Sequence, residues 1–258
     1  MPVGIVGGRL SYCLARIVWL GLCWLELAVF TAMLYVLSFV SSERTQRAYA
    51  ALFRLWCRSF VRALGVDLCL HQKNQDPLPE RFILIANHPS AFEDIGVPAL
   101  FDVISLAKIE VLDWWIAGRM NRAAGTLFVR RESRESRRAA AAQIVAQLGK
   151  GRNVAIYPEG GCRGKRIFSS FRYGAFDISL RTGVPIVPIF LHYEAQEAFE
   201  WKPHETLVQK MWQFLTAPNK RANYYVYDAI DPSGFTDKGS YCEYVHGLYL
   251  NWQAKYLD

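Results

Sequence analysis

The sequence predicts an α/β protein, a mostly parallel sheet flanked by helices, carried behind an N-terminal hydrophobic membrane-anchoring helix or two-helix motif. Three observations predict it. Beyond residue 80, short β-branched or apolar runs alternate with helical stretches, the pattern of a parallel sheet packed between helix layers. Ahead of them lies one apolar run long enough for a bilayer. With 258 residues, the chain suffices for one large domain, or for a smaller domain plus a membrane segment.

Residues 17–40 read IVWLGLCWLELAVFTAMLYVLSFV, with Glu26 as their single charge. At about 1.5 Å per residue such a helix crosses a hydrocarbon core of about 30 Å. An ionised carboxylate near mid-bilayer costs at least about 2.5 kcal/mol, so two short helices broken near Gly21 to Glu26 and dipping into one leaflet compete with a straight span. A buried core helix is a third reading. Arg44, Arg47, Arg54, Arg58 and Arg62 follow the run, against Arg9 and Arg16 before it. That asymmetry leaves the main domain on the cytoplasmic side, at the inner membrane if the cell is bacterial. In residues 49–64 arginine and apolar positions interleave at helical spacing, as suits a helix on anionic headgroups or an ordinary surface helix. The expected division is therefore 1–64, anchoring and interfacial helices, and 65–258, the α/β domain.

After the turn at 75–80 (QDPLPE), strands are expected at 81–86, 103–107, 126–129, 154–157, 185–191 and 223–230. Helices are expected at 91–100, 112–122, 134–148 and 171–182. Hydrophobic residues make up 52% and charged residues 21%, apolar for a freely soluble enzyme yet far too polar for a polytopic transporter. The net charge of +7 favours anionic neighbours. Nucleic acid is not among the expected partners, because the aromatics do not interleave with a basic stripe on one strand face. Six scattered cysteines without a CxxC pair argue against a disulfide framework or a zinc cage.

Four clusters carry chemistry. Asn87-His88-Pro89-Ser90-Ala91-Phe92-Glu93-Asp94 sits where a strand ends and a helix begins, the end at which active groups of open α/β sheets gather. One ring nitrogen of His88 can bond an acid, Glu93 or Asp94, while the other faces substrate, as a general base requires. Read alone, the cluster better describes a satisfied core histidine with acids complementing a helix dipole. Gly125-Thr126-Leu127-Phe128-Val129-Arg130-Arg131 ends a strand on two guanidinium forks suited to phosphate. Tyr157-Pro158-Glu159-Gly160-Gly161-Cys162-Arg163-Gly164-Lys165-Arg166 is a glycine-rich turn with three basic side chains, able to bring backbone N–H groups near an oxyanion. Val184-Pro185-Ile186-Val187-Pro188-Ile189 suits a strand beside a cleft.

In this order and at these intervals, the clusters resemble the glycerophospholipid acyltransferase family, typified by lysophosphatidate acyltransferases. That family reads a histidine, four residues and an aspartate, then Gly-x-x-Phe-x-x-Arg, Phe-Pro-Glu-Gly-Thr-Arg and Val-Pro-Ile-x-Pro blocks; the likeness covers residues 81–191 and extends to the hydrophobic N-terminus. It implies transfer of a fatty acyl group from acyl-CoA or an acyl carrier protein to a hydroxyl of a lysophospholipid at a membrane, with no cofactor beyond the thioester. His88 would be the base and Glu93 or Asp94 its partner. Gly125, Phe128, Arg131, Glu159, Gly160, Gly161 and Arg163 would bind substrate, and Lys108 resembles a family lysine near the substrate channel. Two departures stand out. The acid at the family's interval is Glu93, with the aspartate one place later, and Gly161-Cys162 replace a single threonine. Glu93 is the expected partner, since Asp94 is shorter and rotated by about 100° around the helix. A membrane-bound hydrolase or thioesterase would use the same groups on water, and a non-catalytic lipid-binding protein would keep only the pocket.

Overall fold

The structure, a computed structural model, describes residues 3–162, 164, 166–202 and 205–258. Its strands are β1 (Asp67–Gln72), β2 (Ile83–Ala86), β3 (Val103–Lys108), β4 (Leu127–Val129), β5 (Asn153–Ile156), β6 (Ile186–Tyr193) and β7 (Arg221–Val226). They form one sheet in the order β1-β7-β6-β2-β5-β3-β4, parallel throughout except where β6 meets β7. The expected mostly parallel sheet is present. At its centre, β2 reads ILIA and is buried along its whole length, as a strand covered on both faces must be.

Helices are α1 (Val3–Leu37), α2 (Gln46–Leu64), α3 (Glu93–Leu100), α4 (Trp115–Ala124), α5 (Arg134–Gly149), α6 (Gly174–Thr182), α7 (Gln196–Phe199), α8 (Leu207–Thr216) and α9 (Lys238–Tyr256). Strand alternation divides the core between two faces. Leu84, Ala86, Ala155, Val187 and Ile189 pack with α2, α3 and α4. Ile83, Ile85, Val154, Ile156 and Ile186 pack with α5, α6 and α9.

Elements not anticipated include β1, a half-buried edge strand, and the helices α7, α8 and α9. The helix expected at 112–122 is split, because Trp114 is extended between a 3-10 turn at Ile109–Asp113 and α4. The strand expected at 223–230 ends at Val226, and Ile230 makes only an isolated bridge to Ile186.

The apolar N-terminus is one continuous helix with no break at Gly21 to Glu26, which corrects the reading of two short helices. Nor is it a core helix, since among the described residues Leu22, Leu25, Val29 and Val36 are exposed while only Cys23, Leu27 and Leu34 are buried along its inner side. Those three face α2, where Tyr49 donates its hydroxyl hydrogen to the Leu34 carbonyl at 2.8 Å. Glu26, the charge that made a span costly, accepts hydrogen bonds from Arg62 at 2.6 Å and from the Ser59 hydroxyl at 3.1 Å.

α2 itself is a layer helix of the main core, through Phe53, Trp56, Cys57 and Val61. Its arginines turn to protein groups. Arg54 pairs with Asp102, Arg58 donates to the Ala99 carbonyl at 2.8 Å, and Arg62 holds Glu26.

α3 is seated by Gly96, where an added Cβ would strike the Tyr224 hydroxyl and lie 2.9 Å from its ring carbon Cζ. Tyr224 is buried, so relief requires movement in the core. Gly96→Ala is expected to cost about 1–3 kcal/mol, read as a lower midpoint of chemical denaturation; an unchanged midpoint would show that Tyr224 swings aside freely.

Candidate active site

Two buried side chains fix the loop that follows β2. Asn87 Nδ2 donates to the Leu191 carbonyl at 3.0 Å and its Oδ1 accepts the Leu191 N–H at 2.7 Å, tying the end of β2 to β6 beyond their ladder. The next N–H, that of His88, donates to Glu159 Oε1 at 2.8 Å, while Glu159 Oε2 accepts from the Phe168 N–H at 3.3 Å. Burial pushes the Glu159 carboxyl up from 4.5 to about 7 against the pull of those two donors. Glu159 thus holds backbone together, whereas the resemblance assigned it to substrate.

The turn then closes on itself. Ser90 donates its hydroxyl hydrogen to the Phe199 carbonyl at 2.5 Å and accepts the Phe92 N–H at 3.1 Å, and the Ser90 N–H donates to Glu93 Oε1 at 2.8 Å. This reciprocal loop is built like a capping box. It places the Glu93 carboxylate beside Nδ1 of the His88 ring.

His88 is buried and stacks on Tyr157, with ring centroids 4.2 Å apart. Its Nδ1 lies 3.6 Å from Glu93 Oε2, and neither atom has a hydrogen-bond partner among the described residues. A contraction of a few tenths of an ångström would complete the bond, and catalytic hydrogen bonds are commonly long before substrate binds. Burial, reinforced by the Arg131 charge, lowers the His88 pKa, while Asp94 and Glu159 oppose that shift. The imidazole is therefore neutral near neutral pH, as a proton acceptor must be. Burial raises the Glu93 pKa strongly, opposed by bonds from its own N–H, Ser90 and Tyr193. Asp94 is exposed and lines an apolar cavity between α2, α3, α4 and α8. Of the two candidate acids, Glu93 is the one that faces Nδ1.

The other ring nitrogen, Nε2, meets Cys162 Sγ at 3.5 Å, and that thiol also reaches the Ser90 carbonyl at 3.2 Å. Burial and the nearby Glu93 and Asp94 charges raise the Cys162 pKa, so it stands as a neutral thiol at the base.

Alongside opens a largely apolar cavity of about 530 Å³ between α5 and α6, reached past Tyr157, Pro158 and Gly160. Arg131, Arg137 and Arg172 rim it. At Gly160 (φ +75°) a Cβ would collide with Arg172, and at Gly161 it would lie 3.1 Å from Arg131 Nη1. Two guanidinium groups thus close over the paired glycines, which carry no side chain to hold them off. Gly160 N–H already donates to the Tyr157 carbonyl at 3.0 Å, so of the two oxyanion donors expected only Gly161 N–H lacks a backbone partner among the described residues.

The remaining sequence candidates lie elsewhere. Gly125 (φ +89°) is the left-handed cap of α4, against the Gln46 side chain. Phe128 pairs with Ala107 and points to the face opposite Val129, which lines the large cavity. Lys108 makes an exposed ion pair with Glu110 at 3.0 Å. Arg163 falls outside the described residues. Arg172 was not singled out beforehand; a basic residue two places ahead of Gly174, where α6 begins, was the available signal. Among the described residues, no group of three His, Cys, Asp or Glu stands together to hold a metal ion.

Residues 68–192 match the Acyltransferase family. The chain is 35% identical over 142 residues to a lyso-ornithine lipid O-acyltransferase from Pseudomonas aeruginosa, covering 55% of this chain and 54% of that protein. It is 26% identical over 115 residues to a 1-acyl-sn-glycerol-3-phosphate acyltransferase from Neisseria gonorrhoeae, covering 45% of each. The matched part spans about half the length of these relatives. In fold it resembles the crystal structure of PlsC, the 1-acyl-sn-glycerophosphate acyltransferase from Thermotoga maritima, with a TM-score of 0.62 over 93% of this chain and 96% of that one at 18% identity.

The raised Glu159 carboxyl sets a pH dependence. Its proton is held more tightly in the folded than in the unfolded chain, so its stabilising contribution is full below pH 4.5 and is lost as pH rises to about 7. Glu159→Gln should flatten the unfolding free energy across that window relative to the parent chain; an unaltered slope would mean that the carboxyl titrates at its ordinary value.

Proposed function

We propose that this chain, whose residues 68–192 match the Acyltransferase family, is a membrane-anchored O-acyltransferase. It moves a fatty acyl group from an acyl thioester, acyl-CoA or acyl carrier protein, to a hydroxyl of a single-chain lipid such as lysophosphatidate or a lyso-ornithine lipid. The observation that carries the reading is the buried, neutral His88 with Glu93 at its Nδ1, beside an apolar cavity rimmed by arginines.

His88 Nε2 takes the proton of the acceptor hydroxyl as that oxygen attacks the thioester carbonyl. Cys162 yields its place at Nε2 to the hydroxyl. Glu93 accepts the Nδ1 hydrogen, fixing the tautomer, and the imidazolium as it forms favours the ionised carboxylate in turn. The Gly161 N–H supports the oxyanion. The carbon–sulfur bond then breaks, and the thiolate leaves with the proton held by His88. Arg131 and Arg172 bind the anionic group of the acceptor as planar forks, and the acyl chain lies in the cavity between α5 and α6. The exposed apolar stripe of α1, residues 14–37, anchors the domain.

His88→Ala should lower turnover by about 10²- to 10⁴-fold with the fold intact; near-parental turnover would end the mechanism. Glu93→Gln should cost much more activity than Asp94→Asn, and the reverse order would assign the partner role to Asp94. Arg131→Ala should raise the acceptor KM more than it lowers kcat, whereas a defect confined to the thioester would contradict its role. Product analysis with labelled thioester decides the reaction class: a new diacylated lipid supports transfer, and free fatty acid with acceptor untouched supports a hydrolase. Release of the intact chain by alkaline carbonate would rule out an integral anchor.

A further inference from the structure

We propose that the N-terminal turn of α4 and the outer face of α8 form a second lipid-contact surface, separate from the α1 stripe, whose partner is an anionic phospholipid bilayer. The proposal deepens the membrane reading of this chain and rests on it for the presence of a bilayer.

α8 is turned inside out relative to a water-facing helix. Its lysine, Lys210, is fully buried, with the ammonium held by Glu205 at 2.8 Å, Gln213 Oε1 at 2.6 Å and the Glu200 carbonyl at 2.5 Å. Three of its apolar residues, Leu207, Val208 and Trp212, face outward, with Val208 77% and Trp212 66% exposed. A capping box between Thr206 and Gln209 fixes the helix start, and Phe214 is buried beside Lys210. The outward set is thus imposed by a charged and hydrogen-bonded inner face.

The start of α4 repeats the pattern. Trp115 is 80% exposed, with Trp114 and Ile116 exposed on either side. Tryptophan, with an apolar body and one N–H, favours the boundary between acyl chains and headgroups. The two halves of the surface adjoin, because Trp114 and Leu207 line the same apolar cavity of about 150 Å³. They also adjoin the anchor: the Trp115 ring lies 6.4 Å from that of Tyr35 in α1, and the Arg119 guanidinium sits 4.0 Å over Phe39.

Charge identifies the partner. Between the α1–α2 turn and α4 lies a polar cleft of about 520 Å³, lined by Ser38, Ser41, Ser42, Arg119 and Arg122, with Glu43 as its one acid. Two guanidiniums and three hydroxyls beside an aromatic rim suit a phosphate headgroup whose chains run past the tryptophans.

Hydrogen exchange of the full chain, with and without vesicles containing phosphatidylglycerol, tests the surface. Uptake should slow severalfold at 111–119 and 205–216 as well as at 14–37. Slowing at 14–37 alone would overturn the proposal while leaving the anchor in place. Slowing at 111–119 and 205–216 but not at 14–37 would keep the surface and remove the anchor, and no slowing anywhere would remove both. Protection of 205–216 by an acyl carrier protein instead of vesicles would assign the face to a protein and also overturn it. As a second readout, brominated phospholipid should quench part of the tryptophan emission, and that part should shrink in Trp115→Phe and in Trp212→Phe. Undiminished quenching in both variants would overturn the proposal.

Discussion

Every group at the candidate site depends on two buried side chains that bond to backbone. Asn87 locks the end of β2 to β6, and Glu159 locks the His88 N–H to the loop after β5. The loops after β2 and β5 are thereby held to each other and to β6 at the carboxyl end of the sheet. A buried carboxylate is costly unless donors satisfy it. Glu159 has two, and its elevated pKa records how much of the desolvation cost remains. The imidazole is positioned through its own main chain before any side chain touches the ring.

A second constraint governs the N-terminal half. α1 exposes apolar residues along most of its length, yet it carries Glu26 on the side that meets α2. Arg62 and Ser59 answer that charge. The basic residues that made residues 49–64 resemble a headgroup-binding helix are largely engaged with protein acceptors. Positive charge available to anionic ligands lies elsewhere: at Arg131 and Arg172 above the paired glycines, and at Arg119 and Arg122 beneath the tryptophan rim. The overall charge of +7 indicated anionic neighbours but not which arginines would meet them.

Cys162 shows how one residue changes a site. It stands where the resembling motif has a single threonine preceded by one glycine, and it meets both His88 Nε2 and the Ser90 carbonyl. A thiol is larger and a weaker hydrogen-bond partner than a hydroxyl. It therefore holds Nε2 of His88 only weakly.

By itself the sequence determined what is local. Strand and helix alternation, the apolar run, and the motifs at 87–94, 125–131 and 157–162 were legible because hydrophobic period and loop chemistry extend over a few residues. β1 and α9 were missed for the same reason: β1 is a half-buried edge strand, and α9 spreads its aromatics around the helix rather than along one stripe. What only the tertiary structure decided is the pairing of polar groups across the fold. Glu26 meets Arg62, Cys162 meets His88, and Glu159 reaches back to the His88 N–H, each across more than thirty residues of sequence. Which of Glu93 and Asp94 faces the imidazole also waited on the fold, because one residue of rotation at a helix start separates a buried carboxylate from an exposed one, and the Ser90 turn sets that rotation.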